Sequence, residues 1–201
     1  FSVVVRGRSA HAGRNPQDGR NALVAAAEIA VRLAALGRPD CTVNPARIEG
    51  GAANNVVPDL AILHFNIRPR SLAAGEALIH DLRCLLAEIE TQREVSVHLH
   101  GAISRPPKPV DARAQALFDL VRACGARLGQ TIGWQPSGGV CDGNNIAACG
   151  VPVVDTMGVR GGAIHSPQEF LIVPSLAARA ALSARVIERL AMGHLNEGAR
   201  P

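Results

Sequence analysis

Apolar residues recur at every second position where the chain opens. Phe1, Val3 and Val5 share one face of a short predicted strand. A loop rich in Gly, Ser, Asn and Pro follows from Gly7 to Gly19. Asp18 is then placed to cap a helix reaching Leu36, with Leu23, Ala27, Ala30, Val31 and Ala34 as its apolar stripe, and Gly37 and Pro39 end it. The stretch from Cys41 to Ile48 and the loop GGAANNVVPD lead into a strand from Leu60 to Arg68. There Ala61, Leu63, Phe65 and Ile67 face one way, and Ile62, His64, Asn66 and Arg68 the other. Pro69 closes that strand. Ser71 caps a helix carrying Leu78, Leu82, Leu85, Leu86 and Ile89, and a last strand sets Val95, Val97 and Leu99 on one face.

The order strand, helix, strand, strand, helix, strand is that of a ferredoxin-like βαββαβ domain, expected over residues 1–103. Two helices can cover one face of its sheet. The other face is more polar and partly open, and an edge strand is available to a second copy. The segment SRPPKPV, 104–110, reads as a stiff junction. Beyond it, Asp111 caps a helix through Leu117, Leu120, Val121 and Cys124. A strand near Thr131 to Trp134, the turn SGGVCDGNN, a short helix stopped by Gly150 and a strand from Val151 to Thr156 come next. Pro174 and Ser175 start a terminal helix through Ala180, Leu182, Val186 and Leu190. The chain is therefore α+β, with an α/β second unit over 104–201. Two strands are few for a self-sufficient sheet, so this unit is expected to be the tail of a larger domain. The chain opens directly in a strand, and more sequence is expected upstream.

Composition narrows the function. The 201 residues are 47% hydrophobic, enough for real cores. Four Phe, one Trp and no Tyr make those cores aliphatic and argue against a stacking surface for nucleic acid. The net charge of +4 is spread along the chain; the densest basic stretch, Arg6, Arg8, Arg14 and Arg20, is interrupted, so no nucleic-acid partner is expected. Five cysteines, Cys41, Cys84, Cys124, Cys141 and Cys149, are odd in number and loosely spaced. They point to a reducing compartment, hence cytoplasmic, rather than a disulfide framework. No apolar run is long enough to span a bilayer, and no leader is seen.

Five places carry candidate chemistry, each with a plainer alternative. His11, among small residues in SAHAG, can donate to an oxyanion or be an idle loop histidine. Asn55, in NNVVPD, can bind a carboxylate or carbonyl, or serve a turn. Arg68, at the end of a strand on its polar face, suits a bidentate grip on a carboxylate or a surface ion pair, with Arg105 a weaker candidate of the same type. The turn around Gly138 and Gly139 can bring backbone N–H groups to an anion, or join a strand to a helix, with Asp142 fixing the loop or capping the helix. His165, after a glycine-rich run, is a single potential Zn²⁺ ligand without a partner in HxxxH or CxxC spacing. His98 and His100 read as polar surface. A Cys–His hydrolase using Cys141 or Cys149 with His165 is conceivable on paper, with nothing to place the pair together.

Taken in order, GRSAHAGRNPQDGRNAL (7–23), GGAANNVVPDLAILHFNIRPR (50–70) and SGGVCDGNNIAACGVPVVDTMGVRGGAIHSPQEF (137–170) resemble the M20 family of metallopeptidases and amidohydrolases. The resemblance implies a lid and dimerisation domain over 1–103 and the C-terminal part of a catalytic domain over 104–201. It implies hydrolysis of an amide in N-acyl amino acids or small peptides, a homodimer formed through the lid, and two Zn²⁺ per intact catalytic domain. Carried over residue by residue, His11 is the oxyanion-stabilising histidine that reaches across the dimer. Asn55, Arg68, Gly139 and Val140 bind substrate, Arg105 less clearly so, and His165 is the last metal ligand. Val140 and Cys141 stand where the family often has Ser or Thr, so a contact at Val140 relies on its backbone. The other ligands and the general base have no counterpart here, so the chain alone is expected to be inactive and to bind metal weakly. The competing reading is a non-catalytic dimerising or ligand-binding module that reuses the lid.

Overall fold

The computed structural model describes residues 1–194, which form two compact units divided between Pro107 and Lys108. In the first, β1 (Ser2–Arg6), α1 (Ala22–Ala35), β2 (Cys41–Gly50), β3 (Leu60–Pro69), α2 (Leu72–Arg93) and β4 (Ser96–His100) follow one another. The strands make one sheet in the order β2-β3-β1-β4 with every neighbour antiparallel, as a ferredoxin-like domain requires. The alternation read for β3 is the one observed: Ala61, Leu63, Phe65 and Ile67 are buried with Val3 and Val5 of β1. Leu78, Leu82, Leu85, Leu86 and Ile89 of α2 close over them. Ser71 starts α2 as expected, its Oγ accepting the Ala74 amide at 3.1 Å.

Two local expectations for α1 are corrected. Its cap is Asn21, whose Oδ1 accepts the Val24 amide at 3.0 Å. Asp18 ends a separate one-turn 3₁₀ helix, Pro16–Asp18, and its Oδ2 accepts from the Asn15 side-chain Nδ2 at 2.8 Å. The buried face is Ala22, Ala25, Ala26, Ile29 and Leu33, not the Leu23–Ala34 stripe, and Val31 is 72% exposed. The helix is apolar nearly all round, so its periodicity does not select a face; the sheet takes the one bearing the bulky Ile29 and Leu33.

The second unit contains α3 (Ala112–Arg127), α4 (Asp142–Ala148), β5 (Gly161–Gly162), β6 (Phe170–Leu171) and α5 (Ser175–Ala191). Asp111 caps α3 as read, accepting the Ala114 amide at 2.7 Å. Val121, Cys124, Leu182 and Val186 form the core where α3 meets α5, with Ile132, Trp134 and Val154 against it. The strands expected at 131–134 and 151–156 are not formed: neither segment joins a ladder, and Thr156 turns into a left-handed conformation at φ 58°. A strand exists only through hydrogen bonds to a neighbour, and the described residues give these segments none. Among the described residues of this unit, the one ladder is the two-residue pair β5 and β6. On α5, Ala180 is exposed and Leu190 is 38% exposed, so its buried face is narrower than the sequence implied.

Candidate active site

His11 and Asn55 lie far apart in sequence and are joined by backbone. The Ala12 amide donates to the Asn55 carbonyl and the Val57 amide to the Ala10 carbonyl, both at 2.9 Å, so the two loops pair as a short antiparallel bridge. Four further bonds anchor this pair to the end of the sheet: Gly7 N–H to Asp59, Ala22 N–H to Pro58, and a reciprocal pair between Arg8 and Arg20. Glycine is needed at position 7, because a Cβ there would lie 1.9 Å from the Arg20 carbonyl oxygen. His11 is exposed, and its Nδ1 accepts the Gly13 amide at 3.1 Å. The neutral ring therefore carries its proton on Nε2, a donor open to a ligand. Asn55 is exposed on the neighbouring loop.

Arg68 sits at the opposite end of β3 from this loop pair, across from Thr42 of β2. Leu60 and Arg68 are separated by about 25 Å of strand. One protomer therefore does not bring Arg68 to His11 and Asn55. Arg68 is half-buried on the helix-free face, where its Nε donates to Asn66 Oδ1 at 2.7 Å, which orients the guanidinium. The same face carries His64, 3.5 Å from Glu49, and Glu49 also pairs with Arg47. Arg105 is exposed in the segment after β4.

In the second unit the glycine turn is largely self-satisfied. The Gly139 amide donates to Ser137 Oγ at 3.1 Å and the Cys141 amide to Asn144 Oδ1 at 3.1 Å. Cys141 holds the cap position of α4, with Asp142 the first helical residue. Val140 is 38% exposed. An anion meeting this turn would have to displace internal bonds at Gly139 and Cys141.

Beside the turn is a cluster that sequence reasoning missed. The Cys141 thiol donates to Asp155 Oδ2 at 3.2 Å, and the Lys108 ammonium pairs with the same oxygen. Burial alone pushes the Asp155 carboxyl up, but the hydrogen bonds from Lys108 and Cys141 and the lysine charge outweigh it and hold the group below the usual carboxylate range. These three residues have no common spacing, so no linear signal marks them. The partner of Cys141 is thus a carboxylate already matched by a lysine, which leaves a Cys141–His165 dyad without support.

His165 is exposed in a turn where it and Ala163 both adopt left-handed backbone angles, φ 65° and 56°. Its amide donates to Glu169 Oε2 at 3.2 Å. A positive φ is uncommon for a residue with a side chain, and two so close together mark a conformation imposed by the loop. Among the described residues, no three His, Cys, Asp or Glu side chains come together in a way that could hold a metal ion. His165 is therefore one donor, and this donor set does not fit a two-ion centre by itself.

Residues 1–94 match the family model for the peptidase dimerisation domain of M20 enzymes. The first unit is an M20 peptidase dimerisation domain. Likeness extends into the second unit. Carboxypeptidase G2 of Pseudomonas sp. (strain RS-16) is 26% identical over 95% of this chain and 47% of its own length. The succinyl-diaminopimelate desuccinylase of Psychrobacter sp. (strain PRwf-1) is 30% identical over 77% of this chain and 38% of its own. The crystal structure of aminopeptidase PepT from Bacillus cereus superposes with a TM-score of 0.78 at 27% identity, over 94% of this chain and 51% of that one. The YXEP protein of Bacillus subtilis, described as a dinuclear metal-binding M20 peptidase, shares the fold at 20% identity and a TM-score of 0.66. The chain spans about half the length of the relatives that it matches along most of its own. Among the described residues no helix is long and apolar enough to cross a membrane.

Proposed function

We propose that this chain supplies the lid and the closing part of the catalytic domain to a homodimeric M20 amide hydrolase acting on N-acyl amino acids or small peptides. Residues 1–103 would form the lid and residues 104–201 the catalytic portion. The length of β3 between Arg68 and the end that carries the His11 loop, about 25 Å, carries the reading. It exceeds the length of an N-acyl amino acid, so the two residues serve one substrate only if they come from different protomers. Arg68, oriented by Asn66, holds the substrate carboxylate of its own protomer's site. His11 and Asn55 enter the partner's site, where His11 Nε2–H donates to the oxygen that gains charge as the amide carbonyl is attacked. Gly139, Val140 and Arg105 are further substrate contacts in this reading.

The intact enzyme is proposed to use two Zn²⁺ ions, with His165 the one ligand from this chain. The apolar surface of the second unit, with Ile164 at 72%, Val173 at 66% and Ile187 at 65% exposure, supports its being part of a larger domain. Five free cysteines support a reducing, cytoplasmic setting.

The test is complementation in the intact enzyme that carries this chain. H11A and R68A dimers should each be nearly inactive. Mixed and re-equilibrated, they should recover about a quarter of wild-type turnover, since half the dimers are hybrids with one complete site of two. Absence of recovery would place His11 and Arg68 in one protomer's site or remove one of them from catalysis. Carboxylate binding by the wild type without turnover would instead favour the non-catalytic module.

A further inference from the structure

Away from the residues assigned to the candidate active site, two metal-ligating side chains of α2 are already close together. His80 and Cys84 lie one turn apart on α2, both exposed, with His80 Nε2 3.9 Å from Cys84 Sγ. Leu78, Leu82, Leu85 and Leu86 interleave with them in sequence and are buried. The backbone that carries the pair is thus fixed by the core, and only two short side chains must adjust. A tetrahedral cation bound by imidazole nitrogen and thiolate sulfur requires a bite of about 3.5 Å, from metal–ligand distances near 2.05 and 2.3 Å. The observed gap is a few tenths of an ångström wider, within reach of small side-chain torsions.

We propose that His80 and Cys84 form a surface site for one borderline-soft divalent cation, of the Zn²⁺ or Cd²⁺ class, per chain. The Nε2 lone pair makes one metal bond. The thiol S–H bond breaks, the sulfur keeps the electron pair and makes the second metal bond, and the proton passes to solvent. No oxidant or reductant is needed. No third His, Cys, Asp or Glu joins the pair among the described residues, so water completes the coordination sphere and the ion exchanges freely. Hard cations such as Mg²⁺ and Ca²⁺, which take oxygen ligands, are not accepted. The site does not depend on the hydrolase reading, because neither residue belongs to that machinery.

Cadmium serves as the optical probe, since thiolate-to-cadmium charge transfer absorbs in the near ultraviolet. Titration of the 201-residue chain should give one equivalent of absorbing complex, displaced by Zn²⁺ and unaffected by excess Mg²⁺. C84S should abolish the band. H80A should weaken binding about tenfold or more, because the second donor acts intramolecularly. C141S and C149S should change nothing, and unchanged melting temperatures show that every variant is folded. A band that survives C84S, or an affinity indifferent to H80A, overturns the proposal.

Discussion

The backbone amide of Gly13 donates to Nδ1 of His11 at 3.1 Å, so a loop two residues long selects the tautomer of the imidazole. The consequence is a ring whose outward nitrogen is the donor. Long-range proton–nitrogen NMR of the isolated chain should show His11 as the Nε2–H tautomer. In the intact enzyme H11A should lower kcat by about 10²–10³, the usual loss of one oxyanion donor, with a smaller effect on KM.

The loop pair carrying His11 and Asn55 depends on Gly7. A methyl group there would sit 1.9 Å from the Arg20 carbonyl oxygen and force the reciprocal bonds between Arg8 and Arg20 apart. G7A should destabilise the first unit by about 1–3 kcal/mol, as overpacking does. Amide exchange at Ala12 and Val57, whose bonds zip the loops together, should accelerate more than exchange in β1.

Arg68 should be irreplaceable by a simple cation. R68A is expected to raise KM for an N-acyl amino acid about 10- to 100-fold, the cost of a charged hydrogen-bonded contact. R68K should recover only part of this, since an ammonium offers no planar fork. A substrate amide in place of the carboxylate should erase the difference among the three proteins.

The Lys108–Asp155–Cys141 cluster makes a pH prediction with a definite sign. The Asp155 carboxyl titrates lower in the folded unit than in the unfolded chain. Its contribution to stability is therefore complete above the unfolded value and disappears as pH falls through the folded one. Melting temperatures measured from neutral pH into acid should fall for the wild type, and the decline should be shallower in D155N. K108M should move the midpoint of that decline upward, because the ammonium no longer favours the carboxylate.

Thiol reactivity separates the cysteines. Cys41 and Cys124 are buried, while Cys84, Cys141 and Cys149 are exposed. Burial raises the Cys41 thiol above its usual range, and Asp40 adds to this against a smaller opposing effect of Arg38. Ellman's reagent should count three fast thiols in the native chain and all five after unfolding. Fast modification of Cys41 would mean that α1 does not pack on the sheet as described.

What the sequence determined by itself was local and repetitive. The period-two run Ala61, Leu63, Phe65, Ile67 and the α2 stripe from Leu78 to Ile89 were legible because one side chain in two, or one face in 3.6, is apolar and the rest is not. The caps Ser71 and Asp111 were legible because a short polar side chain before an apolar run has one nearby amide to serve. The element order then left a four-stranded antiparallel sheet as the economical arrangement. The tertiary structure decided everything that depends on a partner distant along the chain. The buried face of α1 could not be read, because its alanines make all faces similar and only the sheet distinguishes them. The segments 131–134 and 151–156 carry strand-like residues but no ladder, since pairing belongs to two strands and not to one. The meeting of His11 with Asn55, the distance of both from Arg68, and the convergence of Lys108, Cys141 and Asp155 are likewise products of folding. Residues tens of positions apart have no periodicity in common, and only hydrogen bonds formed in three dimensions bring them together.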